Sequence, residues 1–184
     1  MARHVALLRG INVGGKNAIP MSALKACFEG ASFANVATYI QSGNVVFDAP
    51  FSSQVELTRR IEGILRKAFG HYDARVVVRS RSQMRAVVDR APKGFGTEPA
   101  TYRYNVVFLK PPLTAKTAIK DVSTKEGVDR MWAGTGVLYM SRLESRATQS
   151  RLNRVASLPI YKNMTIRNWN TTTKLAGLLE AKPD

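Results

Sequence analysis

The chain is organised around a stretch near its start that reads Leu7-Leu8-Arg9-Gly10-Ile11-Asn12-Val13-Gly14-Gly15-Lys16-Asn17. The apolar run over residues 4–8 has the length of a buried β-strand, and the glycine-rich loop ends it. Glycine permits positive φ and close backbone approach, and clustered backbone N–H groups beside a lysine suit an anion. The stretch therefore predicts a strand and then a loop suited to an anion, with a helix that begins near Pro20.

The elements predicted on either side of this loop follow the order strand, helix, hairpin, helix, strand, which is that of a ferredoxin-like βαββαβ unit. Residue spacing, a turn signal at 42–44 and a capping box at Ser53 define them. The predicted strands cover residues 4–8, 36–41, 45–47 and 74–79, and helices begin at Pro20, Ser53 and Ser82.

The second part of the chain repeats this order. Its predicted strands cover 104–109, 129–132, 137–140 and 163–167, and its predicted helices cover 112–122, 149–158 and 171–181. We therefore predict an α+β protein made of two ferredoxin-like βαββαβ halves, each followed by an extra helix. The first half with its helix would cover residues 1–92, a Gly- and Pro-rich linker 93–102, and the second half with the C-terminal helix 103–184.

Composition limits the classes of protein that need to be considered. The 184 residues include 28 basic and 13 acidic side chains, so the net charge is +15. That charge predicts attraction to nucleic acid, phosphorylated metabolites or an acidic surface, although a basic proteome or a solubility requirement explains it equally simply. The single cysteine, Cys27, excludes an internal disulfide and fits a core position. Since no signal sequence or long apolar run is present, we expect a soluble cytoplasmic protein.

The spacing of Gly10, Gly15 and Lys16 matches most of the phosphate-binding P-loop pattern, but three features depart from it. Asn17 stands where the pattern has the Ser or Thr that ligates magnesium, the helix begins near Pro20 instead of at the lysine, and the sheet is not parallel. Two interpretations remain. The loop is either a looser anion site made of backbone N–H groups and Lys16, or a glycine loop that only turns the chain.

Two further polar clusters accompany the loop. Around the hairpin, Tyr39 and Gln41 would point to one face of their strand, while Asn44 is typical of a turn. Near the C-terminus the chain reads Arg167-Asn168-Trp169-Asn170-Thr171. Asn170 or Thr171 is a natural N-cap for the last helix, and Trp169 would pack on the core. Alternatively, the start of that helix binds a carboxylate or phosphate.

A basic tract in the second half offers a different kind of partner. Its basic residues are Arg142, Arg146, Arg151, Arg154, Lys162, Arg167 and Lys174, with Glu144 as the one acid between them. Such a tract is either a solvated face or a groove that follows phosphates. RNA-binding sheets of this topology need exposed aromatic residues on their first and third strands, and residues 5–8 and 45–47 offer no such pair. A sequence-specific RNA reader is disfavoured, and charge-driven binding stays open.

The sequence contains no complete catalytic or metal-binding motif. His4 and His71 belong to no set with metal-ligand spacing, and Cys27 and Ser42 have no evident base. We expect no metal and no cofactor. An enzyme acting on an anionic small molecule is left as a further possibility, which would rely on Arg, Lys, Tyr and Asn side chains for electrostatics.

Three sequence blocks, over residues 7–15, 38–47 and 167–171, together resemble a widespread bacterial family, the domain-of-unknown-function family 1697. The resemblance implies a cytoplasmic protein with two ferredoxin-like halves and implies no activity, substrate or catalytic residues.

The function predicted from the sequence is therefore binding of a phosphorylated or otherwise anionic small ligand at the loop over residues 9–17. The predicted ligand contacts are Arg9, Asn12, Gly14, Gly15, Lys16, Tyr39, Gln41, Asn44, Arg167, Asn168 and Asn170. The alternative is a nucleic-acid-associated protein that would use Arg142, Arg146, Arg151, Arg154 and Lys174. No membrane partner is expected.

Overall fold

The computed structural model describes residues 1–12, 18–50 and 53–181, which form two four-stranded antiparallel sheets with helices. In each sheet the strands lie in the order second, third, first, fourth, as counted along that half of the chain. The chain divides into two units, Met1–Arg85 with Lys174–Asp184, and Ala86–Thr173. The predicted α+β fold with two similar ferredoxin-like halves is confirmed.

The first unit contains β1 (Ala2–Leu8), α1 (Met21–Gly30), β2 (Ala34–Tyr39), β3 (Asn44–Ala49), α2 (Gln54–Ala68) and β4 (Val76–Ser80), and α3 (Arg81–Asp89) follows. The sheet order is β2-β3-β1-β4. Its core contains three phenylalanine rings in mutual contact, with Phe33 and Phe47 centred 4.8 Å apart and Phe28 5.5 Å from Phe47. Ser53 and Glu56 form the predicted capping box at the start of α2.

The second half contains β5 (Tyr102–Leu109), α4 (Ala115–Asp121), β6 (Asp129–Gly134), β7 (Val137–Leu143), β8 (Met164–Asn168) and α5 (Trp169–Glu180). Its sheet order is β6-β7-β5-β8. Residues 93–101 of the predicted linker lie between α3 and β5, and Tyr102 is the first residue of β5.

One predicted element of this half is wrong. Residues 149–158 do not form an α-helix; instead three 3-10 helices connect β7 to β8, over Glu144–Gln149, Leu152–Ser157 and Pro159–Asn163. The buried carboxylate of Asp129 explains the difference. It accepts hydrogen bonds from the Ser150 hydroxyl at 2.6 Å and from the Arg151 N–H at 2.9 Å. Ser150 is held in an extended conformation, with ψ at 133°, so a continuous helix cannot pass through it.

Removing this carboxylate should destabilise the second unit. Asp129 also accepts the Lys125 N–H at 2.9 Å, and the side chain is only 7% exposed. Asp129→Ala would leave three donors without their acceptor, so we expect a loss of about 2–4 kcal/mol in the free energy of unfolding measured in urea. The matched variant at an exposed aspartate, Asp121→Ala, should stay within about 0.5 kcal/mol of wild type. Equal effects of the two changes would contradict the assigned role.

The internal duplication is visible in the hydrogen-bond register of the two sheets. The N–H of Leu8, at the end of β1, donates to the Gly43 carbonyl at 2.8 Å, and the N–H of Leu109, at the end of β5, donates to the Gly136 carbonyl at 3.0 Å. In both halves the last residue of the first strand is therefore hydrogen-bonded to the turn of the following hairpin.

The last strand of each half carries a buried arginine at the same register position. Arg79 lies opposite Val5 and Arg167 lies opposite Val106. In both cases the Nη1 group donates to the carbonyl of the preceding residue at 2.9 Å. Burial lowers the pKa of Arg79 to about 10, so its guanidinium remains charged at neutral pH.

Candidate functional site

Asn12 closes the base of the glycine-rich loop. Its side-chain amide donates to the Ile19 carbonyl at 3.0 Å and accepts from the Ile19 N–H at 2.8 Å, so residues 12 and 19 are tied together. The same amide also donates to the Gln41 carbonyl at 2.9 Å. Because its side chain is engaged by the backbone, Asn12 ties residue 12 to residues 19 and 41 and does not present a free amide to a ligand. Predicted contacts Gly14, Gly15 and Lys16 lie outside the described residues.

The turn between β2 and β3 packs against the chain just before the glycine-rich loop, at Leu8 and Ile11. Gly43 has φ of +76°, and a Cβ placed there would lie 2.6 Å from Ile11 Cδ1 and 2.9 Å from Leu8 Cβ. Asn44 is fully buried, and its amide donates to the Tyr39 carbonyl at 2.9 Å and to the Ser42 hydroxyl at 3.0 Å. The predicted contact Asn44 therefore shapes the turn, and the first two sequence blocks meet in space.

Adding a single methyl group at Gly43 should disrupt this junction. Gly43→Ala places a Cβ inside van der Waals contact of Ile11 and Leu8 at a φ that L-residues rarely adopt. We expect a loss of about 2 kcal/mol or more in unfolding free energy. Gly63→Ala is the matched control, since nothing lies within 4 Å of its Cβ position in the middle of α2. It should stabilise by up to about 1 kcal/mol. A neutral Gly43→Ala would refute the packing argument.

Arg9 emerges from the end of β1 with its backbone held on both sides. Its N–H donates to the Arg75 carbonyl at 2.9 Å, and its carbonyl accepts from the Tyr72 hydroxyl at 2.6 Å. Arg75 itself pairs with Asp73, with 3.3 Å between Nε and Oδ2. The base of the loop is therefore bordered by two arginines.

The backbone next to the loop adopts an unusual conformation at Ile40. Its φ is +50°, which is a strained value for a β-branched residue, and its side chain is 48% exposed. Because β2 ends at Tyr39, the prediction that Tyr39 and Gln41 share a strand face is wrong. Gln41 lies in the turn, where its side chain is exposed and its carbonyl accepts from Asn12.

The C-terminal polar cluster belongs to the second unit. Asn168 caps α5, since its Oδ1 accepts the Thr171 N–H at 2.7 Å, so the prediction of Asn170 or Thr171 as the N-cap is wrong. The helix begins earlier than its polar residues suggested, at Trp169, whose ring packs 5.1 Å from that of Phe95. Arg167 is only 7% exposed, whereas Asn170 is exposed.

The residues of the basic tract have different surroundings. The guanidinium of Arg142 donates to Glu144 and to Asn153, at 2.8 Å in each case. The Arg142 Nε group also donates to Glu144, at 3.2 Å, and hydrogen bonding from the guanidinium, together with its charge, lowers the pKa of the Glu144 carboxyl. Arg151 and Arg154 are exposed, with Arg151 directly before the 3-10 helix that contains Arg154. Arg146 is exposed and donates to Gln149 at 2.8 Å, and Lys174 lies in the first unit.

A cleft at the opposite end of β1 contains residues that the sequence patterns did not indicate. Its volume is about 450 Å³, and it is lined by Met1, Ala2, Arg3, Asp48, Ser80, Arg81, Ser82, Leu179, Glu180 and Ala181. These residues come from separate elements, so no spacing in the sequence could have grouped them. Two arginines and two carboxylates give the cleft a mixed charge, which favours an anion less than the loop does.

His4 lies beside this cleft and is 7% exposed, with its ring stacked on Phe47 at 5.7 Å. Burial lowers the pKa of His4, which the hydrogen bond to the Ala2 carbonyl and the nearby Asp48 charge oppose. Asp48 in turn accepts from the Asn35 amide at 2.7 Å.

Stability should depend on the protonation of His4. Because the folded pKa of His4 lies below its ordinary 6.5, the unfolded chain binds the proton more readily, and stability present above pH 6.5 is lost as the pH falls. Asn105 occupies the equivalent position in the second sheet, so His4→Asn is a suitable neutral replacement. The free energy of unfolding of the wild type, measured in urea, should fall as the pH is lowered from 7.5 to about 5.5, and it should fall more steeply than that of the variant. Identical pH profiles would show that His4 does not carry this dependence.

Two kinds of site find no support in the part of the chain that is described. No cluster of three or more His, Cys, Asp or Glu side chains in these residues could hold a metal ion. None of the described helices combines the length and the apolar character that crossing a membrane requires.

Comparisons with known proteins find a family of unknown function and a solved structure with this fold. A family model described as "Protein of unknown function (DUF1697)" matches residues 1–139, which include the first two sequence blocks. A conserved bacterial protein, SP0830 from Streptococcus pneumoniae, is 24% identical and superposes with a TM-score of 0.83, over 97% of this chain and 99% of that one. This likeness shows the fold.

A protein described as unknown from Galdieria sulphuraria is 12% identical, with 91% of this chain and 96% of that one covered. Its TM-score of 0.26 carries no argument about the fold. No curated protein matches the chain.

Proposed function

The chain belongs to the DUF1697 family of proteins of unknown function, and from its geometry we propose that it binds a small ligand with an anionic group at the glycine-rich loop of the first unit. The anionic group would contact the loop and its basic border, and an apolar part of the ligand would contact Ile40. The observation that carries this proposal is the strained, exposed Ile40 next to Gln41, whose carbonyl accepts from Asn12 at the base of the loop.

The first support is that the ends of the loop are fixed. Asn12 joins residue 19 through two hydrogen bonds and joins the neighbouring turn through a third. A loop with fixed ends loses less conformational entropy when it encloses a ligand, because part of the ordering is complete before binding. The composition of its tip, with Gly14, Gly15 and Lys16, suits an anion.

The second support is the conformation of Ile40. A left-handed β-branched residue costs about 1–3 kcal/mol, and such strain is concentrated at functional sites in proteins. Burial of the side chain would offset this cost, but the Ile40 side chain is 48% exposed. An apolar group held on the surface in a strained turn beside the loop suits contact with a ligand.

The third support is the local charge. Arg9 and Arg75 border the loop, and Lys16 is part of it. Asp73, the acid in contact with this border, is paired with Arg75. The surroundings therefore favour a negatively charged group, and the net charge of +15 would attract one from a distance.

A ligand screen followed by two substitutions tests this proposal. Thermal unfolding is measured with inorganic phosphate, nucleotides and phosphorylated metabolites, since a ligand at about 100 times its Kd adds about 2.7 kcal/mol of stability. Lys16→Ala should remove most of the shift caused by a hit. The exposed Lys67→Ala, which removes the same charge from the end of α2, should retain it.

Ile40→Gly separates strain from binding. Glycine relieves the left-handed strain, so the free protein should become more stable by about 1 kcal/mol. The stabilisation caused by the ligand should decrease, because the apolar contact is lost. A hit whose effect survives both Lys16→Ala and Ile40→Gly would place the ligand elsewhere and refute the proposal.

A further inference from the structure

Partly exposed aromatic side chains lie together on one face of the second sheet. Tyr102 and Tyr104 are two residues apart on β5 and therefore lie on the same face, with ring centres 6.1 Å apart. Trp132 lies on the edge strand β6. Tyr104 and Trp132 both contact Phe95, at 4.9 and 6.0 Å, so they share a face. That face is opposite the one formed by Val107 and its apolar neighbours, against which α4 packs.

The absence of an aromatic pair noted for the first half does not extend to the second. Tyr104 lies on the first strand of this half and Tyr139 on the third, which are the positions that RNA-binding sheets of this topology use. Tyr139 is only 2% exposed, its ring contacts Phe95 at 5.3 Å, and its hydroxyl donates to the Val87 carbonyl at 2.7 Å. The accessible part of the face therefore consists of Tyr102, Tyr104 and Trp132.

An arginine guanidinium lies against this aromatic cluster. The Arg130 guanidinium lies 5.3 Å from the centre of the Tyr102 ring, and Arg130 is exposed on the edge strand. Arg130, Ser141 and Tyr104 are directly opposite one another across three strands. Arg103 and Arg142 lie directly opposite each other on the other face of the sheet, where both pair with Glu144, at 3.8 and 2.8 Å.

We propose that this aromatic face, formed by Tyr102, Tyr104 and Trp132 with Arg130, binds single-stranded nucleic acid. Bases would stack on the accessible rings, and the Arg130 guanidinium, which lies over the Tyr102 ring, would contact a phosphate. The positive charge of the chain complements a polyanion, and two members of the site, Arg130 and Trp132, lie on the edge strand β6. The site is separate from the loop of the first unit and does not depend on the function proposed for it.

The direct test is fluorescence anisotropy with a labelled single-stranded oligonucleotide of mixed sequence and with the same oligonucleotide as a duplex. The single strand should bind more tightly, with an affinity that falls as salt is raised. Tyr102→Ala should weaken single-strand binding by about fivefold or more, because a stacking ring is lost. Tyr102→Phe keeps the ring and should stay within about twofold of wild type.

Charge is tested at an exposed position that is not needed for folding. Arg130→Glu should weaken binding by about fivefold or more, and the same reversal on α4, Lys116→Glu, should have a clearly smaller effect. Quenching of tryptophan fluorescence in the wild-type protein by the unlabelled single strand gives a second readout. Three results would overturn the proposal: no binding at about 50 mM salt, equal affinity for strand and duplex, or equal effects of Arg130→Glu and Lys116→Glu.

Discussion

The arrangement of the loop region depends on the contact between the end of β1 and the turn of the following hairpin. The Leu8 N–H bonds to the Gly43 carbonyl, and Gly43 fits against Leu8 and Ile11 with no room for a Cβ. This contact sets where the strand stops and hence where the glycine-rich loop leaves the sheet. The same hydrogen bond recurs between Leu109 and Gly136, so the constraint belongs to the scaffold that both halves share.

On this common scaffold the two halves differ in what they present. The first half uses Asn12 to tie its loop, and α2 covers its sheet with a regular capped helix. The second half replaces that helix with three 3-10 helices, which the buried carboxylate of Asp129 organises. It also places an aromatic cluster around Phe95 on the other face of its sheet. These differences are the basis for proposing a different kind of ligand for each half.

Several polar residues in the sequence blocks that resemble the family support the structure. The amides of Asn12, Asn44 and Asn168 all bond to backbone groups. An asparagine side chain carries both a donor and an acceptor, so it can replace a backbone partner where a loop or a helix end leaves one without a hydrogen bond. These residues account for the shape of the loop and helix ends, and the proposed ligand contacts are instead Lys16, the loop backbone and Ile40.

The sequence by itself determined the duplicated fold, the hairpin turn, the cap of α2 and the order of the elements other than the segment between β7 and β8, because periodicity, turn residues and capping boxes act over a few residues. Only the tertiary structure decided the rest, since it depends on groups far apart in the chain. Asp129 prevents a helix around Ser150. The aromatic face forms only when β5 and β6 lie in one sheet with Phe95 against it. The strained φ of Ile40 likewise lies in the turn after β2, where the Gln41 carbonyl accepts from Asn12.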